Sequence, residues 1–366
     1  MTGTTHILST SDEIAMLRES ARSMLLQEWP PERAVAASKD PSAMRRIWDL
    51  MSRQGWLALG SDPDDAGLRL ATVLLNELGR AACPVPLADA FLANTLLAKA
   101  ASAPAEASNL WAALHQGKTS LSLVLGSHDG DANAGALGVS TRAGKTVLSG
   151  QAAFVEGTST ATHLLVMTDQ SGKAAIVDAR IPQVTVSTTP GFIAPPLAEV
   201  SFDAAPATVF QTGMSDTADL SRLARHCLTA RAFGAASRGF EMVVDYAKLR
   251  TQFGKKIGQF QAIQHKLANV MINMEISRLT LWRAAASHDR GDPDWRYAAG
   301  AAVSVASPAL RQACLETHHA FGGVSFWEEH EMPRHFRRIH ADLVRCGGIH
   351  AAREDMAHFL LDARVE

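Results

Sequence analysis

Apolar residues recur at helical spacing over the first third of the chain. Ile14, Leu17, Ala21 and Met24 fall three or four positions apart, which predicts one buried face of a helix. Thr10 and Glu13 stand at capping-box spacing at its start. Asp40 followed by Pro41 gives an N-cap and a proline at the first helical position, predicting a helix through Arg53. LRLATVLLNELGR (68–80) and ADAFLANTLLAKA (88–100) predict two further apolar helices. Trp48 and Trp56 suit helix and helix-end packing.

The pattern changes after residue 117. SLSLVLG, LGVSTR, TVLSG, HLLVMT, AAIVDA and EVSFDA are short, rich in Val and Leu, and separated by Gly, Asp, Ser and Pro. They predict strands joined by turns. From Asp216 the helical period returns. Leu220, Leu223, Cys227, Ala230 and Gly234 mark one face of a long helix, and Ile263, Leu267, Val270, Met274 and Leu281 mark another. Long helices with short joints predict an up-down bundle. The chain thus reads as an α+β multidomain protein: a helical domain over 1–117, a small β domain over 118–212 and a helical bundle over 213–366.

Composition narrows the class. With 47% hydrophobic and 20% charged residues in 366, the chain has the material for a large soluble core. A net charge of -2 gives no global reason to bind nucleic acid or an anionic membrane. No apolar run reaches the roughly 18 residues of a membrane span. The first twenty residues, MTGTTHILSTSDEIAMLRES, lack the basic and apolar regions of a signal peptide. Cys83, Cys227, Cys314 and Cys346 are far apart and match no metal spacing. No metal site and a reducing cytoplasm are therefore expected.

Two stretches carry candidate chemistry. In YAKLRTQFGKKIGQFQAIQHKLANV (246–270), Arg250, Lys255 and Lys256 cluster around a loop with Gly254 and Gly258. Cations on a glycine-containing loop before a helix can grip a phosphate; the same residues also describe a solvated turn. In DLVRCGGIH (342–350), Cys346 sits between Arg345 and two glycines. Such a thiol can be a nucleophile, a base or an inert residue, and a neighbouring arginine favours its thiolate. Other charged groups read as structural: the EEHE run (328–331) as a solvated helix start, Arg334, Arg337 and Arg338 as a solvated helix face, and SDPDDAG (61–67) as a turn.

The series Tyr246, Ala247, Arg250, Gln252, Phe253, Gly254, Ile257, Phe260, Gln261, Ile263, Gln264, Leu267, Ala268 closely resembles the signature of the acyl-CoA dehydrogenase family. HHAFGGVSF (318–326) resembles the family's glycine pair preceded by a polar residue. The layout agrees over the whole chain, and the likeness is sharp from about residue 220 onward. The resemblance implies an N-terminal helical domain, a central β-barrel or sandwich and a C-terminal four-helix bundle. It also implies FAD at a subunit interface, with the diphosphate half gripped by the neighbouring subunit. By position, Arg250, Phe253 and Gln261 face that diphosphate. Gly322 and Gly323 let backbone approach it, and His319 stands where the family has Gln.

The family's reaction is α,β-desaturation of an acyl-CoA thioester, with a carboxylate as base and an electron-transfer flavoprotein as acceptor. Neither seat of that carboxylate holds one here. The first is Cys346; the second is Ala224, flanked by Arg225 with Ser221 nearby. The ring-side motifs also differ. GSHDGDANAG (126–135) replaces a TEPGAGSD-like loop, and Phe154-Val155-Glu156 replaces W-I-T. This combination resembles the non-catalytic chains of bacterial steroid-degrading acyl-CoA dehydrogenases, which are α2β2 assemblies. It implies a subunit that completes the FAD site of a catalytic partner. Two alternatives stay open. One is a homo-oligomeric flavoenzyme whose base is Cys346, Glu156, His226 or His319. The other is a flavin-free scaffold that binds a partner or a CoA thioester.

Overall fold

The computed structural model describes residues 11–62, 67–100, 104–125, 137–168, 170, 172–189, 193, 196–212 and 218–362. Thr10, most of the 61–67 turn and the 126–135 loop lie outside the described residues. The chain divides into two compact units that are not consecutive in sequence. One comprises Met1–Ser20, Val35–Ala71 and Pro84–Ala224; the other comprises Ala21–Ala34, Thr72–Cys83 and Arg225–Glu366.

Among the described residues, six helices precede the strands: α1 (Ser11–Glu28), α2 (Pro31–Ala37), α3 (Pro41–Arg53), α4 (Gly67–Arg80), α5 (Leu87–Ala98) and α6 (Ala105–His115). The Asp40 carboxylate accepts the Ser42 N–H at 2.9 Å and caps α3. Hydrogen bonding to Ser42 holds that carboxyl below its ordinary range. Met44, Ile47, Trp48 and Met51 form the buried face of α3, and Trp48 Nε1 donates to the Thr119 carbonyl at 3.1 Å. Every residue of α5 from Leu87 to Leu97 is buried, as expected of a helix apolar all round. Its Asn94 is satisfied: Nδ2 donates to the Leu57 and Leu59 carbonyls at 2.8 Å, and Oδ1 accepts from Trp111 at 2.7 Å.

The β region holds β1 (Leu121–Val124), β2 (Gly138–Arg142), β3 (Lys145–Val155), β4 (His163–Met167), β5 (Lys173–Asp178), β6 (Val184–Thr188), β7 (Ala198–Pro206) and β8 (Thr208–Gln211). They form two four-stranded sheets, ordered β1-β4-β5-β8 and β2-β3-β7-β6. Only the β1–β4 pairing is parallel among these. Val124, Leu164, Val166 and Val177 of the first sheet share one core with Leu148, Val155, Val200 and Phe202 of the second. The described strands therefore make a sandwich and close no barrel. All six predicted strands are present. β6 and β8, each at one edge of its sheet, were not foreseen; their residues are mostly exposed or half-buried.

The helical unit is built on α7 (Ala218–Leu249), α8 (Gln261–Asp289), α9 (Trp295–Phe321), α10 (Met332–Val344) and α11 (Gly348–Asp362). A two-strand ribbon, β9 (Thr251–Gln252) and β10 (Lys255–Lys256), joins α7 to α8. Val270, Met274 and Leu281 of α8 pack with Leu310, Cys314 and Phe321 of α9 and Ile339 and Leu343 of α10. α4 and α7 meet backbone to backbone. A Cβ at Gly79 would lie 1.9 Å from the Arg231 carbonyl, and one at Gly234 would lie 1.9 Å from the Asn76 carbonyl. Beside this crossing, Arg231 makes a bidentate ion pair with Asp342, both bonds 2.8 Å and both side chains buried. No helix among the described residues is long and apolar enough to cross a membrane.

Candidate functional site

The glycine-containing loop with its cations is a tight hairpin. Phe253 and Gly254 both take left-handed backbone, with φ of 52° and 77°, the requirement of a two-residue type I′ turn. The Ile257 N–H donates to the Arg250 carbonyl at 2.9 Å and closes the loop. Gly258 packs so tightly that a Cβ there would sit 2.9 Å from the Ala247 carbonyl. This geometry pushes Phe253 outward to 92% exposure. Its ring meets Phe260 edge-on at 6.2 Å, and Lys255 Nζ lies 4.3 Å from the Phe260 centroid. Gln261 opens α8 on an exposed surface. Among the described residues, the Arg250 guanidinium has no hydrogen-bond or ion-pair partner.

The end of α9 lies beside this hairpin, because the Tyr246 and Phe321 rings meet, tilted at 45°, with centroids 5.0 Å apart. Gly322 ends α9 with φ 70°, its N–H donating to the His318 carbonyl. A Cβ on Gly322 or Gly323 would meet nothing within 4 Å, so the backbone there is open to close approach. His319 contacts α8 directly: its Nδ1 is 2.8 Å from Lys266 Nζ, and Lys266 also pairs with Glu316 at 2.8 Å. The structure thus brings Arg250, Phe253, Gln261, His319, Gly322 and Gly323 to one end of the bundle. An unpaired guanidinium, a lysine and bare glycine backbone form a donor set that fits a phosphate-bearing ligand. The Lys266 contact was not legible in the sequence, since 53 positions separate its partners.

A further exposed feature runs down α8. Met271, Ile272, Ile276 and Leu279 are solvent-exposed, although Val270, Met274 and Leu281 already supply the buried face. Phe326 and Trp327, after the glycine pair, are exposed as well. Apolar surface on this scale is characteristic of a binding face.

Cys346 occupies the turn between α10 and α11. Its backbone is left-handed, φ 53° and ψ 38°, and Gly347 and Gly348 follow at φ 78° and 50°. A Cβ on Gly348 would lie 2.7 Å from the Leu343 carbonyl, so the glycines preserve the turn. Arg225, itself buried, reaches this turn: Nη1 donates to the Cys346 carbonyl at 2.8 Å and Nη2 pairs with Asp355. Asp355, the carboxylate tied to this turn through Arg225, is thereby committed to an ion pair. Ala224 is buried and brings no carboxylate.

The other candidate bases are packed inside. His226 is fully buried, its Nε2 2.9 Å from Thr72 Oγ1. Burial pushes its pKa down from 6.5 to about 4. Glu156 is buried as well. Phe154 sits at a bulge where β3 slips against β7; with φ 59° its ring is half exposed, a re-aimed aromatic typical of bulges. The charged runs are less solvated than expected. Arg338 is buried beside Asp342, Arg334 Nη1 donates to the Pro31 carbonyl at 3.0 Å, and Arg337 pairs with Glu328. Glu331 joins α10 to α7 through Arg238 at 2.7 Å. Burial opposes its ionisation, but the donors around it, His335 at 3.8 Å and Arg238, outweigh that and bring the carboxyl down to about 2. No group of metal-ligating side chains occurs among the described residues.

Comparison with known proteins identifies the family and the fold. Residues 212–361 match the family described as acyl-CoA dehydrogenase, C-terminal domain. The chain is 30% identical over 339 residues to acyl-CoA dehydrogenase IpdE2 of Mycobacterium tuberculosis, covering 91% of this chain and 92% of that protein. Among solved structures it is similar to a Tcur3481-Tcur3483 steroid ACAD variant: TM-score 0.86, 27% identity, 97% of this chain and 99% of the other. The ChsE4-ChsE5 complex from Mycobacterium tuberculosis shares the fold, with TM-score 0.83 and 22% identity over 97% of this chain and 98% of that one.

Proposed function

The chain belongs to the acyl-CoA dehydrogenase family, and from that premise we propose that it is the subunit that completes the FAD site of a catalytic partner chain. The observation that carries this reading is the state of position 346. A cysteine stands there, its peptide carbonyl taken by Arg225, and the carboxylate joined to that turn is spent on the same arginine. Removal of an α-proton from a thioester needs a base within hydrogen-bond reach, and this turn presents none.

The opposite end of the unit is equipped. Bound FAD supplies the hydride acceptor. Arg250 offers a bidentate guanidinium to a phosphate oxygen pair, and Gln261 adds an amide donor at the start of α8. Phe253 presents a bare ring for the dinucleotide to lie against, and Gly322 and Gly323 admit close backbone approach. The apolar stripe of α8 and the exposed Phe326 and Trp327 support burial against another chain. The unlike-chain pairs named in the ChsE4-ChsE5 and Tcur3481-Tcur3483 structures support a heteromer, with α2β2 stoichiometry as its form. The substrate is a CoA thioester. The steroid ACAD likeness favours a bulky, ring-derived acyl group, and an electron-transfer flavoprotein is the acceptor.

The test is a pair of variants in the assembled complex. Cys346→Ala leaves turnover within about twofold; a fall of about 10²–10⁴, the usual weight of a general base, would make Cys346 the base and restore the homo-oligomeric alternative. Arg250→Ala lowers the flavin content of the complex. Unchanged flavin content favours the scaffold alternative.

A further inference from the structure

The geometry points to Lys266 as a positioning residue that fixes His319 as an Nε2–H donor toward a phosphate oxygen of the partner-borne FAD. This rests on the function proposed above. The contact is Lys266 Nζ to His319 Nδ1 at 2.8 Å. An ammonium has three N–H donors and no acceptor. At that distance the contact is a hydrogen bond only if Nδ1 carries a lone pair. A proton on Nδ1 would set N–H against N–H⁺. Lys266 therefore selects the tautomer with its proton on Nε2.

The rest of the cluster fits that role. Glu316 holds Lys266 in place from the other side, at 2.8 Å, and also lies within ion-pair range of His319 Nδ1 at 3.7 Å, so Lys266 at 2.8 Å is the nearer of the two groups on that nitrogen. Hydrogen bonding from Lys266 keeps the Glu316 carboxyl below its ordinary range, so it remains an acceptor that orients the lysine. The His319 side chain is 70% exposed, leaving its ring accessible to a ligand. His319 also lies in the last turn of α9, where the helix dipole repels anions. A phosphate arriving there needs a well-placed donor to offset that repulsion, which the held Nε2–H supplies. A glutamine at this position presents an amide N–H without help. A histidine matches it only when its tautomer is set.

Two measurements test this. In ¹⁵N-histidine-labelled full chain, the His319 resonances, identified by their loss in His319→Gln, show an unprotonated Nδ1 and a protonated Nε2. In Lys266→Met the two tautomers mix. A protonated Nδ1 in the unaltered chain overturns the proposal. In the assembled complex, Lys266→Met weakens FAD binding about fivefold, part of the weight of a hydrogen bond to a charged group, since mixed tautomers keep the rest. In the His319→Gln background the same change has no effect, because the amide needs no partner. An equal loss in both backgrounds makes Lys266 a simple cation or a structural residue, and the proposal fails. If Arg250→Ala releases FAD while Lys266→Met does not, only this inference falls. If neither change alters FAD binding, the functional reading falls with it.

Discussion

At the scale of single residues, the least legible features are charges paired across long stretches of chain. The sequence marks Cys346 as a candidate and places Arg225 beside an empty seat, but 121 positions separate them and no local pattern predicts their hydrogen bond. Asp342 is a similar case. It reads as an ordinary helix acid, yet it neutralises the buried Arg231. Removing one partner of a buried pair strands the other, at a cost of about 3–5 kcal/mol. Asp342→Ala should therefore lower the urea midpoint far more than Asp245→Ala, whose partner Lys248 is exposed. His226 gives a pH signature. Its folded pKa of about 4 lies below the ordinary 6.5, through burial first and the neighbouring His288 second, with Asp289 opposing. The unfolded chain therefore takes up the proton first. This stability is whole above about pH 6.5 and is lost as pH falls toward 4, about 3 kcal/mol in all. His226→Gln should flatten the fall of urea midpoint across that window; an unchanged slope would assign the acid sensitivity elsewhere.

At the scale of elements, apolar periodicity was informative wherever one face is buried. The predicted faces of α7 and α8, the α3 cap and six strands all emerge in the structure. The apolar pattern found the edge strands β1 and β2 but missed β6 and β8, short edge strands whose residues are mostly exposed or half-buried. It also gave Gly234 the role of one more core position, whereas the glycine is there because α7 lies against the backbone of α4. Gly234→Ala should cost at least about 2 kcal/mol, since rigid backbone rather than a mobile side chain blocks the added methyl; calorimetry reads this as a lowered Tm. A near-neutral result would mean that the α4–α7 crossing relaxes easily. Gly348→Ala should also destabilise, by about 1–3 kcal/mol, because it combines left-handed backbone with a close carbonyl. Gly144→Ala has the same backbone sign but open space around it, and serves as the control that separates strain from steric clash.

At the scale of the whole molecule, the sequence motif marks the end proposed to face the flavin, because six residues within two short segments carry it. It could not reveal how those segments meet, which depends on the Tyr246–Phe321 ring contact and the Lys266–His319 contact. Nor does a sequence pattern distinguish an apolar stripe used for the chain's own core from one left for a partner; α8 carries both. The central claim is that this chain equips an active site whose base stands on another chain. Co-expression with an acyl-CoA dehydrogenase-like partner, followed by flavin and protein quantification of the purified complex, tests it most directly. A stable yellow assembly with about half a flavin per subunit, and no flavin or desaturase activity in this chain alone, is the expected result. One FAD per subunit in the isolated chain, with turnover of acyl-CoA thioesters, would contradict it.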